Sequence, residues 1–230
     1  MRVTITEITI IAASANYIDS TENKPKINKK LAQASVLNKI ISEDENAITI
    51  LAPGDIMPAR YVELLMRTKH DYTFPFKNVC EFLSSADITV GNLESPLLPG
   101  KNVPKDSMPY RADPSSVKGY LCAGFDLLTL ANNHTMNYQV PGLTSTIKAL
   151  RAANIAFAGA GKNISIAHTP AIFEVKGKKV AFYAYNDKGI PPGFHGEATA
   201  NEPGIAKMDT ETVKNDVKNA LDKTGYGADY

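Results

Sequence analysis

The chain has 230 residues, 43% of them hydrophobic and 21% charged, with a formal net charge of +1. That length supports one large domain or two small ones with a sizeable core, and so neutral a chain lacks the basic face that nonspecific nucleic-acid binding requires. No run of about 18 uninterrupted apolar residues marks a transmembrane helix, and the two cysteines, Cys80 and Cys122, are spaced for neither a zinc knuckle nor a disulfide framework.

Residues 1–46 read as an N-terminal extension or linker, rich in Asn, Ser, Lys and Glu, with helical potential between Lys29 and Ile41. The lysines from Lys24 to Lys30 read as a solvated run. Ile8 to Ala15 is a short apolar stretch behind Glu7 and a single basic residue, Arg2. It makes a poor signal peptide and fits a short strand, or the remnant of a longer leader, equally well.

From Ala47 the pattern becomes regular. Ala47 to Ala52 (AITILA) is a β-rich run ended by Pro53-Gly54, hence a buried strand feeding a turn. Phe76, Val79, Cys80 and Leu83 recur at helical spacing, which gives Cys80 a packing role. Asp87 to Gly91 is a second strand, and Ser115 to Cys122 a short helix after Pro114. Phe125 to Ala131 is a third strand, Leu143, Ile147 and Leu150 mark a helix opened by Pro141-Gly142, and Ile155 to Ala158 is a fourth strand. Ala171 to Val175 and Val180 to Tyr185 bracket Gly177-Lys178 as a hairpin. Val213, Val217 and Leu221 mark a last helix with Thr210 as its N-cap. Strand and helix alternate from 47 to 160, the signature of βαβ units and a mostly parallel sheet.

In such sheets ligands bind beyond the carboxyl ends of the strands. Gly54-Asp55 follows the first strand, Asn92-Leu93-Glu94 the second, and Asn132-Asn133-His134 the third. Each alone has an ordinary explanation: Asp55 as a turn residue, Glu94 as a loop acid, His134 as a satisfied structural histidine. Together they bring carboxylate, amide and imidazole groups to one edge. Those are ligands for Mn, Fe, Zn or Mg, in a pattern that suits metal-assisted phosphoryl chemistry with a histidine protonating the leaving oxygen. Gly159-Ala160-Gly161-Lys162 lacks phosphate-loop spacing and reads as a turn. Tyr183 and Tyr185 read as strand packing. His70, His168 and His195 read as solvated.

The segments ITILAPGDIM (48–57), ADITVGNLESPL (86–97), GFDLLTLANNHTMNY (124–138) and IAFAGAGKN (155–163) resemble successive motifs of the CapA, or poly-γ-glutamate capsule synthesis, family. PAIFEVKGKKVAFYAYN (170–186) and PGIAKMD (203–209) fit the same pattern, so the resemblance spans about 47 to 230. The family is similar in fold to calcineurin-like metallophosphoesterases. The resemblance implies an α/β sheet sandwich flanked by helices, mostly parallel strands plus a hairpin, as one partial domain over 47–230. It implies Asp55, Asn92 or Glu94, and Asn133 as ligands of a divalent metal, His134 as acid, and an anionic polymer or phosphoester as substrate. It also implies a cell-envelope setting.

Two departures qualify those expectations. Asn137-Tyr138-Gln139 stands where the family commonly has Asp-Tyr-Gly, which weakens metal support. The family pattern also continues past Tyr230 into a strand and histidine-bearing loops, so the residues present make a partial metal cradle and leave a sheet edge exposed. Three readings follow: a capsule-polymer assembly factor, a metal-dependent hydrolase, or a catalytically incompetent fragment.

Overall fold

The computed structural model describes residues 9–12, 47–101, 110–187 and 196–230, and of residues 9–12 the backbone alone. The helical potential at 29–41, the lysine run at 24–30 and His195 lie outside the described residues. Five parallel strands stand in the order β1 (Thr9–Ala12), β2 (Thr49–Ile56), β3 (Ile88–Leu93), β4 (Leu127–Thr129) and β5 (Ala156–Ala158). Spatial order follows chain order, as right-handed βαβ crossovers that step one way across a sheet require. Between the strands run α1 (Tyr61–Thr68) and α2 (Cys80–Leu83), then a 3₁₀ turn (Pro114–Ser116) leading into α3 (Val117–Cys122), then α4 (Gln139–Ala152). A two-stranded ladder of β6 (Ala160–Gly161) and β9 (Gly204–Ile205), α5 (Ile164–Ala167), the antiparallel hairpin β7 (Ala171–Val175) with β8 (Lys178–Phe182), and α6 (Thr210–Leu221) complete the described fold.

Successive strand residues point to opposite faces, and both faces of this sheet are covered. Leu51, Leu128 and Phe157 join the main core with Leu83, Tyr120, Leu143 and Leu150 from the helices. Their neighbours Ile50, Leu127 and Ala158 face the other way, against Val180, Phe173 and Phe182 of the hairpin. The mixed α/β sheet sandwich read from the sequence is therefore present, with helices on one side and a hairpin on the other. The chain's last residues extend the hairpin layer: Asp229 N–H donates to Lys179 O at 2.8 Å, and Ala181 N–H to Tyr230 O at 2.9 Å. That is where the sequence places the start of another strand.

At the amino ends of the strands, aspartates clasp neighbours. Asp87 accepts from Thr49 N–H at 2.7 Å and from Lys176 Nζ at 2.9 Å, which ties the hairpin turn to the sheet. Asp126 accepts from Thr89 N–H at 2.8 Å.

Several local expectations are corrected. Pro53-Gly54 does not end the first strand, because β2 absorbs it as a register shift between Leu51 and Gly54 and continues to Ile56. Proline lacks a ladder donor and glycine tolerates the φ of +96° found there, so a bulge is the one place inside a strand where this pair fits. Helix over 76–83 contracts to Cys80–Leu83, because tight turns such as Phe76 N–H to Thr73 O and Val79 N–H to Phe76 O occupy the first part. The N-cap of α6 is Asp209, which accepts from Thr212 N–H at 2.9 Å, and not Thr210.

His168 is not solvated. Its Nδ1 lies 2.8 Å from Asp216 Oδ2, to which Tyr185 also donates at 2.8 Å, while Tyr183 donates to the Asp216 carbonyl at 2.9 Å. The two tyrosines stack at 6.0 Å beyond the end of β8. Here α6, which sequence spacing alone leaves unplaced, is anchored to α5 and the hairpin. His70 is exposed, as expected.

The cysteines are also corrected. Cys80 and Cys122 form a disulfide across 42 residues, with Cα atoms 5.7 Å apart. The spacing carries no sign of it, because α2 and α3 meet only after β3 is in place. Chain entropy for a loop of that length gives a stabilisation of about 4 kcal/mol, with observed values nearer 2–4. Reduction, or the double substitution Cys80→Ser/Cys122→Ser, is expected to lower unfolding stability by about 2–4 kcal/mol. Urea denaturation with and without reductant measures this, and coincident curves refute it.

Candidate functional site

The carboxyl ends of β2, β3 and β4 lie side by side, as the sequence order of the loops anticipates. The bulge in β2 places Asp55 in register with Asn92, and Asn92 in register with Thr129. Asn92 Nδ2 donates to Asp55 Oδ1 at 2.9 Å, so an exposed carboxylate is oriented by the adjacent strand. The Asn92 amide oxygen accepts from Asn132 Nδ2 at 3.0 Å and Thr129 Oγ1 at 3.3 Å. Gly91 lets the strands approach here: a Cβ would stand 2.8 Å from both Ile56 and Phe125 side-chain carbons. Glu94 is half-buried and held at its backbone, its N–H donating to Ile56 O at 3.0 Å.

Asn132 organises the third loop. It is 6% exposed. Its Nδ2 also donates to Leu93 O at 2.9 Å, and its Oδ1 accepts from the N–H groups of His134 and Thr135 at 3.0 Å each. Thr135 Oγ1 in turn donates to Leu130 O. The amide thereby links β3 to the turn that presents half-buried Asn133 and buried His134.

His134 is enclosed by groups that sequence reading missed. Asn137 Nδ2 lies 3.1 Å from His134 Nδ1. An amide nitrogen only donates, so Nδ1 accepts and the neutral ring carries its proton on Nε2. The Tyr110 ring packs 4.3 Å from the imidazole, and the Arg60 guanidinium lies 4.7 Å from the Tyr110 ring centroid. Burial chiefly, with the Arg60 charge adding to it, holds the His134 pKa below the ordinary 6.5, and an amide donor aimed at Nδ1 favours the neutral ring as well. Asn137, read above as a weakened ligand position, fixes the histidine tautomer. Tyr110 and Arg60 lie in loop and turn contexts whose sequence carries no signal for this stacking.

The donor chemistry here is oxygen-rich: the Asp55 carboxylate, the Glu94 carboxylate on the neighbouring loop and the Asn133 amide. Among the described residues no three His, Cys, Asp or Glu side chains gather as a metal-holding group. By residue type, oxygen donors of this kind are those that a hard cation takes.

The family model described as "Bacterial capsule synthesis protein PGA_cap" matches residues 49–230, a span that contains all three loops. The chain is 30% identical over 227 residues to the "Capsule biosynthesis protein CapA" of Bacillus anthracis, covering 96% of this chain and 51% of that protein. It is 29% identical over 176 residues to the "PGA biosynthesis protein CapA" of Bacillus subtilis (strain 168), covering 75% of this chain and 45% of that one. A "Probable polyglutamine synthesis accessory protein" of Mycobacterium tuberculosis is 27% identical over 141 residues, 59% of this chain and 37% of its own. The chain thus spans about half the length of the Bacillus relatives it matches.

Asn132 and Asp55 separate scaffold from chemistry. Asn132→Ala orphans several buried donors and acceptors and is expected to cost about 3 kcal/mol, whereas Asp55→Ala, at an exposed site, changes stability by about 0.5 kcal/mol or less. Urea unfolding of both variants tests the contrast, and equal losses refute it. His134 yields a pH signature. Its depressed folded-state pKa means the unfolded chain takes up the proton first, so the stability contributed by neutral His134 is full above pH 6.5 and is lost as pH falls through the folded-state value. His134→Gln is expected to flatten the stability profile below pH 6.5. An NMR titration midpoint for His134 above 6.5 would contradict the assignment.

Proposed function

The chain belongs to the bacterial capsule synthesis family PGA_cap, and from that premise we propose that it serves the biosynthesis or export of an anionic glutamate-polymer capsule through the strand-end edge of its parallel sheet. The observation that carries this reading is the coincidence of the family match with the Asp55–Asn92–Asn132–His134 network. The name of the Bacillus anthracis relative supports the capsule, and the PGA in the names of the Bacillus subtilis relative and of the family supports the polymer.

In this reading Asp55 and Asn133, with Glu94 beside them, would hold a divalent cation such as Mn, Fe, Zn or Mg. When bound, that ion supplies positive charge to polarise a carbonyl or phosphoryl oxygen. The residues do the rest. Asn92 orients Asp55 by its amide N–H and acts as a support more than as a ligand. Asn132 holds the β4 turn so that Asn133 and His134 face the same edge. Neutral His134 offers Nε2–H as a hydrogen-bond donor to a substrate oxygen, and donates a full proton only below its lowered pKa. The Cys80–Cys122 disulfide supports an oxidising compartment for this work, since such bonds persist outside the reducing cytosol.

The test is genetic and direct. A poly-γ-glutamate-producing bacterium lacking its own relative is complemented with this protein. Wild-type sequence is expected to restore surface polymer, and Asp55→Ala or His134→Ala to lower it about tenfold or more, within the range lost when one catalytic donor is removed. Thiol alkylation in the same cells is expected to label Cys80 and Cys122 only after reduction. Full polymer yield from both variants, at equal protein levels, rejects the strand-end edge as the working site.

A further inference from the structure

Outside the strand-end constellation, α4 and α5 enclose a cavity of about 540 Å³ beside edge strand β5. Its floor is apolar: Leu143 and Ile147 from α4, Phe157 from β5, Ile166 from α5, and Pro203. Three cations stand on its wall, Lys148 and Arg151 one turn apart on α4, and Lys162 opposite them before α5. Among the described residues no carboxylate lines it. Among the described residues none of these three cations is in a salt bridge. Arg151 instead lies over the Phe157 ring at 5.5 Å. The apolar surface continues outward through Ile166, 39% exposed, and Ile164, 47% exposed.

We propose that this cavity binds an anionic amphiphile: one alkyl chain on the floor, with a phosphate head among Lys148, Arg151 and Lys162. Charge selects the head. Three unpaired cations match a group carrying about −1.5 to −2 charges better than a lone carboxylate. The floor selects the chain. Leu143, Ile147, Phe157, Ile166 and Pro203 offer side-chain carbon against the single hydroxyl of Thr144, so a ligand with an amide in every unit loses water along most of the floor without gaining a contact. That disfavours a glutamate polymer, whose backbone carries an amide in every unit, and favours methylenes, each worth about fourfold in affinity when buried. The inference is independent of the capsule reading, because none of the lining residues belongs to the strand-end site.

Calorimetric titration of the purified chain tests it, with dodecyl phosphate below its micelle concentration, octyl phosphate, inorganic phosphate and a γ-linked glutamate decamer. Dodecyl phosphate is expected to bind one per chain, about tenfold or more tighter than octyl phosphate. The charge reversal Lys148→Glu/Arg151→Glu/Lys162→Glu, at three exposed positions, is expected to weaken it about tenfold or more. Ile166→Asp, also exposed, is expected to weaken dodecyl phosphate without altering the thermal melt. Inorganic phosphate binding as tightly as dodecyl phosphate would reduce the cavity to an anion site. The decamer binding more tightly would make it a polymer subsite. Either result overturns the proposal, as does unchanged affinity in the charge-reversed chain.

Discussion

The loop after β4 leaves the sheet with backbone donors still inside the protein, where an unpaired N–H costs about 1–3 kcal/mol. One amide meets that demand. Asn132 accepts from two N–H groups of its own turn while donating to Leu93 O and to the Asn92 amide oxygen. Because Asn92 in turn holds Asp55, a single buried side chain sets the geometry of three strand ends. The exposed carboxylate and the buried imidazole are therefore placed by hydrogen bonds that neither makes to the other.

The two ends of the sheet use similar residues for different ends. At the amino ends Asp87 and Asp126 accept from backbone N–H groups of the adjacent strand. At the carboxyl ends Asp55 stays exposed and accepts from a side chain. An aspartate bound to backbone donors is committed to holding strands together. One oriented by a flexible-headed amide keeps lone pairs for a substrate or an ion. The same contrast separates basic residues: Arg67 on α1 and Lys176 at the hairpin turn are paired with carboxylates, while Lys148, Arg151 and Lys162 line the α4–α5 cavity with its apolar floor.

His134 illustrates how environment redefines a motif. As a sequence feature it reads as a proton donor. In the fold its Nδ1 meets an amide N–H, its face meets Tyr110, and Arg60 lies beyond. Burial and the nearby cation both disfavour the imidazolium. The residue that departs from the expected aspartate, Asn137, is the one that selects the tautomer: a carboxylate there would favour a proton on Nδ1 and raise the pKa.

The order of strands, the parallel sheet, the hairpin and the three polar loops were legible in the chain because each rests on local signals: β-rich runs such as ITIL and LLTL, and polar residues directly after them. Other features depend on residues far apart in sequence, and only tertiary packing decided them. The bulge that keeps Pro53-Gly54 inside β2 needs β3 beside it. The Cys80–Cys122 bond needs α2 and α3 brought together across 42 residues. The Asp216 cluster joins His168, Tyr183 and Tyr185 across three elements. Local propensity acts over a few residues and so writes itself into the sequence. Partnership between distant polar groups is chosen by where the packed core delivers them, and that choice is made only when the sheet closes.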